Sequence, residues 1–96
     1  MIKPILWSAE KNQLLKDTRG FGFEDIAAAI ETGHLLNDVP HPNPKYSHQR
    51  IYFVAIDGYV MMVPYVEEED YVFLKTAYPS RKAMRHYRKQ VSDEKT

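Results

Sequence analysis

Two apolar runs separated by two turn residues decide the fold: IYFVAI at residues 51–56 and YVMMVPYV at residues 59–66, with Asp57-Gly58 between them. Both runs are rich in β-branched and aromatic residues, which is typical of strands, and Asp-Gly is a strong signal for a two-residue hairpin turn. Such a turn sets the register, so Arg50 is predicted directly opposite Tyr65. The stretch therefore predicts an antiparallel hairpin.

Both faces of this hairpin are apolar. The register places Val54 and Met61 on one face and Phe53 and Met62 on the other. The pattern does not decide which face packs against the core, since helices can cover one face and a partner the other. An apolar sheet face left exposed would be a binding surface.

An acidic loop and then a basic segment follow the hairpin. Residues 67–70 are Glu-Glu-Glu-Asp, a third strand is predicted over 71–77, and Pro79-Ser80 mark the start of a helix. From residue 71 to 90 there is no Asp or Glu and there are six basic residues: Lys75, Arg81, Lys82, Arg85, Arg88 and Lys89. The formal net charge is zero, so the basic charge is concentrated here. If the protein binds a polyanion, we expect it to do so with this segment.

The first half of the chain predicts two helices. Ser8 is a good N-cap for a helix that ends before Gly20, and apolar residues at helical spacing predict a second helix over 23–32. Residues 2–7 are predicted to be a short lead-in strand or an extended segment, and residues 34–39 a short edge strand. Residues 40–49, with prolines at positions 40, 42 and 44, are expected to form an exposed loop that cannot join a ladder.

These elements predict an α+β fold in one domain spanning residues 1–96. It has two N-terminal helices, an antiparallel meander of three to four strands and a basic C-terminal helix, with a frayed tail at about 92–96. The composition, 44% apolar and 27% charged, is that of an ordinary globular domain. The chain has no cysteine, no run long enough to span a membrane and no signal-peptide core, so we expect a cytoplasmic protein without a membrane partner.

Several positions together resemble a known family. Trp7, Lys11, Gly20 and Phe23-Glu24 are spaced as in the opening signature of the BrnT-type toxins, roughly W-D-x-x-K, then Lys-His-Gly, then Phe-Glu. The sequence departs from that pattern at four places: Ser8 follows the tryptophan, Thr18-Arg19 replaces Lys-His, Ala77-Tyr78 replaces Ala-Arg, and Met84 replaces a helical glutamate.

The resemblance implies a RelE-like fold and a small ribonuclease toxin of a bacterial type II toxin–antitoxin pair, which cuts RNA and arrests translation. It also implies a cognate antitoxin, typically a ribbon-helix-helix protein that represses the shared operon. Operator DNA would then be contacted only through the antitoxin. We expect no cofactor.

Cleavage of RNA requires a group that takes the proton of the 2′-hydroxyl, a cation that stabilises the phosphorane and an acid for the leaving oxygen. The sequence has no dense Asp/Glu/His cluster, and its four histidines lack paired zinc-like spacing, so a metal-free mechanism is predicted. Arg81 and Arg85 lie one helical turn apart and can face a single phosphate. The predicted catalytic set comprises Arg81, Arg85, His86, Lys75, Tyr78, Arg50 and Tyr65. The predicted RNA-binding set comprises Lys16, Arg19, His48, Lys82, Arg88 and Lys89.

Other interpretations of the same residues stay open. The basic helix is equally typical of a solvated face or an antitoxin contact, and Arg50 opposite Tyr65 is also an ordinary cross-strand pair. Met84, Tyr87 and Val91 follow helical spacing and are predicted to be the buried stripe of the last helix. A non-catalytic RNA- or protein-binding module on the same fold is the alternative function, and a structural protein that oligomerises through the sheet is a third.

Overall fold

The predicted hairpin forms the centre of the sheet in the computed structural model, which describes residues 3–95 and the side chains of residues 3–91. Strand β3 is Arg50–Ile56 and strand β4 is Tyr59–Glu67. The predicted register is confirmed, with Arg50 opposite Tyr65. Asp57 and Gly58 have φ angles of 52° and 77°. A type I′ turn requires positive φ at both of its central residues, and these two have it.

Four further strands complete a mixed sheet: β1 (Ile5–Trp7), β2 (Leu35–Pro40), β5 (Val72–Leu74) and β6 (Tyr78–Pro79). The strand order is β1-β5-β4-β3-β2, and β6 also pairs with β4. Because β1 runs parallel to β5, the prediction of an antiparallel sheet of three to four strands was wrong. The pairing joins segments more than sixty residues apart in sequence, and neither segment contains a local pattern that predicts it.

The third strand is shorter than the predicted range 71–77, because the ladder is interrupted beside Pro64. The carbonyl of Pro64 accepts a hydrogen bond from the backbone N–H of Lys75 at 2.8 Å. In a β-strand the N–H and C=O groups of one residue point toward the same neighbouring strand. Pro64 has no N–H, so it cannot donate the second hydrogen bond of this pair to β5. The chain leaves the sheet at this point and returns as β6, opposite Met61 and Met62.

The loop prediction over 40–49 was wrong at its first residue, since Pro40 pairs with Arg50 as the last residue of β2. β2 is an edge strand, and an edge tolerates proline because one side of the strand needs no donor. The remaining residues form a loop that contains a short 3-10 helix, Pro44–Tyr46. The backbone N–H of His41 donates to the carbonyl of Gln49 at 3.1 Å and closes its base.

The two N-terminal helices are present as predicted: α1 is Ala9–Arg19 and α2 is Phe23–Glu31. The hydroxyl of Ser8 accepts a hydrogen bond from the backbone N–H of Lys11 at 3.3 Å, which is an N-cap contact. Gly20 ends α1 in the left-handed conformation, with φ 80°.

The single predicted C-terminal helix is instead two helices, α3 (Arg81–His86) and α4 (Arg88–Lys95). They meet at Tyr87, whose hydroxyl accepts a 2.8 Å hydrogen bond from Asn37 on β2. No proline or glycine lies at the junction, so local sequence contained no signal for it. The backbone of residues 92–95 continues α4, and residue 96 lies outside the described residues, so the frayed tail stays a prediction.

Helices cover both faces of the sheet, which explains why both faces of the hairpin are apolar. One buried cluster combines α1 and α2 residues with Val54 and Met61, and Trp7 stacks on Phe23 at its margin. A second cluster on the other face combines Ala55 and Val60 with the C-terminal helices. Tyr87 and Val91 are buried there and Met84 is half-buried, so the predicted stripe is confirmed. None of the described helices is long and apolar enough to cross a membrane.

Candidate nucleic-acid interface

A cavity of about 800 Å³ lies where the end of α1, the tip of the β3–β4 hairpin and the start of α3 meet. Arg19, Arg81 and Arg85 all line it, and we call it the arginine cleft. Asp57 and Tyr59 contribute from the hairpin tip. The structure therefore brings together two arginines predicted to be catalytic and one predicted to bind RNA.

Local sequence signals hold these arginines in place. Gly20 ends α1 directly after Arg19, and its backbone N–H donates to the carbonyl of Lys16 at 3.0 Å. At the other wall, the backbone N–H of Ser80 donates to the carbonyl of Val60 at 3.1 Å. The Ser80 hydroxyl then accepts from the backbone N–H of Ala83 at 3.1 Å and begins α3. The strand β6 thus attaches the start of α3 to β4 beside the hairpin tip.

The three guanidinium groups of the cleft have no carboxylate partner among the described side chains, and all three residues are exposed. Other cations of the predicted sites are paired. The Lys16 ammonium lies 3.3 Å from a Glu24 carboxylate oxygen, and Arg50 Nε lies 3.1 Å from Asp38 Oδ1. An unpaired arginine group that faces a cavity is well suited to phosphate, which its planar fork binds through two hydrogen bonds.

A second cavity of about 550 Å³ adjoins the cleft, and we call it the apolar cavity. Its walls include Phe53, Met62 and Tyr87, and His86 and Lys82 lie at its rim. Arg85 and Ser80 line both cavities. His86 therefore lies beside Arg85 but faces the neighbouring cavity, with its ring edge-on to Tyr87 at 4.6 Å between centroids.

Arg50 and Tyr65, both predicted to be catalytic, lie together but far from the cleft. Arg50 is the first residue of β3, and Asp57, at the cleft, directly follows the last. The rise per residue of a β-strand puts these two residues about 20 Å apart. The Tyr65 hydroxyl donates to Asp38 Oδ1 at 2.7 Å, and its ring stacks on Tyr52 at 3.8 Å between centroids. Burial and then the Asp38 contact raise the pKa of Tyr65, so its hydroxyl stays protonated. This cluster secures the edge strand β2.

Lys16 and Lys75 also lie outside both cavities. Lys16 and Asn12 both contact the Glu24 carboxylate. The pKa of Glu24 is lowered mainly by the hydrogen bond from Asn12 and further by the positive charge of Lys16. Lys75 directly follows β5 and is half-buried. Its ammonium group lies 5.7 Å from the centre of the Phe73 ring. Both lysines are thus engaged with neighbours within the fold.

The remaining predicted residues are spread over the surface. Tyr78 is 40% exposed on β6, opposite Met62, and His48 is exposed in the loop before β3. Arg88 and Lys89 are exposed on α4 and line neither the cleft nor the apolar cavity. Of the predicted RNA-binding set, Arg19 and Lys82 are the members that line one of these two cavities.

Sequence reasoning missed the roles of three residues, two beside the cleft and one at Arg50. Asn12 is buried, with its side-chain oxygen accepting the Phe23 N–H at 2.7 Å, and it orients the α1–α2 connection behind Arg19. Asp38 neutralises Arg50, and Asp57 lines the cleft as well as forming the turn. A polar residue at an inward helical position was the available signal for Asn12, whereas Asp38 and Asp57 depend on tertiary contacts.

Within the described part of the chain, no three His, Asp or Glu side chains lie together as a group that could hold a metal ion. Comparison with protein-family models, with curated protein sequences and with solved structures returns no match. The resemblance to BrnT-type toxins and to the RelE-like fold therefore stays a prediction.

Proposed function

We propose that the protein is the toxin of a type II toxin–antitoxin pair, a divergent relative of the BrnT-type toxins, and that it cleaves single-stranded RNA without a metal ion. The observation that carries the proposal is the arginine cleft, where Arg19, Arg81 and Arg85 meet without carboxylate partners among the described residues. Three arginines against one carboxylate, that of Asp57, give this concave site a net positive charge, which favours a phosphodiester over a neutral ligand. The spacing of the N-terminal motif around Trp7 and Lys11 supports the family assignment.

In this proposal the arginines hold the scissile phosphate and His86 moves the proton. The 2′-oxygen attacks phosphorus while the His86 imidazole takes its proton, and Arg81 and Arg85 stabilise the charge of the phosphorane. The imidazolium returns that proton to the departing 5′-oxygen. The products are a 2′,3′-cyclic phosphate and a 5′-hydroxyl end. Arg50 and Tyr65 have no part in this step, because Asp38 engages both.

Induced expression in bacteria tests the proposal. We expect growth arrest with the wild-type chain and relief by Arg81→Ala with Arg85→Ala. Because Arg88 and Lys89 line neither cavity, this proposal leaves them out of the predicted RNA-binding set. The matched control, Arg88→Ala with Lys89→Ala, removes the same charge from α4 and should leave the arrest intact. A wild-type chain that neither slows growth nor cuts cellular RNA would contradict the proposal. We propose that a neighbouring gene encodes a ribbon-helix-helix antitoxin, and co-expression of such a protein should restore growth.

One observation favours the alternative, a non-catalytic RNA-binding module. No histidine lines the arginine cleft itself, and His86 faces the adjoining cavity. A module of this kind would bind RNA through the same arginines and produce no new RNA ends. Mapping the 5′ ends of cellular RNA after induction separates the two functions, because discrete new ends that vanish in a point variant require catalysis.

A further inference from the structure

The apolar cavity beside the arginine cleft carries a further assignment. We infer that it binds one base of single-stranded RNA while the phosphate of that nucleotide lies at the rim beside Arg85, which also lines the arginine cleft. The inference rests on the proposed function and names a subsite within it. Three features of the cavity carry it: its aromatic walls, the sign of the charge at its rim and the arginine that it shares with the cleft.

The walls suit a flat aromatic ligand. Phe53 and Tyr87 contribute rings whose centroids lie 5.7 Å apart with a 40° tilt, and Met62 adds a thioether beside them. Phe53 and Met62 are half-buried, so part of each side chain is available to a ligand. Aromatic rings stack on the face of any base, and thioether groups also contact aromatic rings favourably, so neither group requires a particular base. The volume of about 550 Å³ lies within the usual range for small-molecule pockets.

The rim of the cavity selects for an anion. Lys82, Arg85 and His86 are exposed there, and none of the eight described residues that line the cavity is acidic. A purely apolar ligand would gain nothing from these three groups. A ligand with a flat apolar body and negative charge beside it matches both the walls and the rim, and a nucleotide has that combination.

Arg85 connects the base subsite to the cleft. Arg85 and Ser80 line both cavities, whereas Phe53 and Met62 lie on one face of the sheet and Met61 on the other. Within one nucleotide the base and the phosphate are separated by a single ribose, so a base in the cavity places its own phosphate at the rim beside Arg85. The ribose would lie beside His86, the group proposed to act on its 2′-hydroxyl.

Binding of a short fluorescent 2′-O-methyl RNA, which cannot be cleaved through its 2′-oxygen, tests the subsite on the wild-type chain. An abasic nucleotide is moved through the oligonucleotide one position at a time. We expect the loss of one base to weaken binding by about 5- to 150-fold, the range of base stacking on aromatic side chains, and the loss of others to have little effect. Equal affinity for every abasic oligonucleotide would overturn the subsite.

A protein variant locates the effect in the cavity. Phe53→Leu should weaken binding of the intact oligonucleotide but not of the one abasic at the sensitive position. Phe73→Leu, the same change at a half-buried ring on β5 outside both cavities, should alter neither. If Arg81→Ala with Arg85→Ala abolishes binding while no abasic position matters, the subsite is refuted and the proposed function stands. If the wild-type chain neither binds nor cuts RNA, the proposed function fails and the subsite with it.

Discussion

Arg85 lies at the boundary between a charged cleft and an aromatic cavity, and its position follows from two local facts. Ser80 caps α3, and β6 attaches that cap to β4 beside the hairpin tip. The helical spacing that predicted Arg81 and Arg85 on one side is confirmed, since both line the cleft. The convergence of Arg19 on the same cleft could not be predicted, because it depends on how α1 packs.

Asn12 is the residue that connects the first helix to the second. Its side chain accepts the Phe23 N–H at 2.7 Å and donates to Glu24 at 2.8 Å. Asn12→Ala should lower the free energy of unfolding by about 1–3 kcal/mol, because a buried donor loses its partner. Urea denaturation measures this. Gln13→Ala, at an exposed neighbour, should change stability by less than about 0.5 kcal/mol, and an equal loss in both variants would refute the assigned role.

Tyr65 predicts a response to alkali. Its pKa is raised above the ordinary value of 10.0, first by burial, so its contribution to stability is complete below pH 10.0 and is lost as the pH rises further. Tyr65→Phe should cost about 1–3 kcal/mol at neutral pH through the lost bond to Asp38. It should also reduce the fall in stability above pH 10.0. Tyr71→Phe, at an exposed ring, is the control, and an alkaline limb unchanged by Tyr65→Phe would contradict this account.

At the scale of elements, the hairpin was predictable because its information is local. The Asp57-Gly58 turn determines the register, and every pair along β3 and β4 follows from it. The β1–β5 pairing and the return of β6 were not predictable, since each depends on segments that meet only in the folded chain. The division of the last helix at Tyr87 likewise depends on Asn37 across the sheet.

The turn provides a test at this scale. Gly58 has φ 77°, a conformation that costs an L-residue about 1–2 kcal/mol. Gly58→Ala should therefore lower the free energy of unfolding by about that amount in a thermal or urea titration. Glu69→Ala, in the exposed loop after β4, should change it by less than about 0.5 kcal/mol. A Gly58→Ala protein as stable as wild type would show that the turn does not constrain the hairpin.

At the scale of the whole molecule, two helical layers enclose one sheet, with a Cα radius of gyration of 12.9 Å. The sequence left open which hairpin face is core, and the answer is that both are covered. The net charge of the chain is zero, but its cations are unevenly distributed. Three arginines line the cleft, whereas Lys16 and Arg50 are paired with carboxylates. The site is therefore a property of the assembled layers and not of any one motif.

Cleavage of 5′-labelled single-stranded RNA by the purified chain, in EDTA without ribosomes and separately in magnesium buffer with ribosomes, tests the central claim most directly. The wild-type chain should yield discrete fragments that end in a 2′,3′-cyclic phosphate. Arg81→Ala with Arg85→Ala should slow their appearance by at least about 100-fold, as expected when charge stabilisation of the phosphorane is lost. Arg88→Ala with Lys89→Ala should cleave at the wild-type rate. No cleavage by the wild-type chain under either condition, or equal cleavage by the cleft variant, would contradict the account.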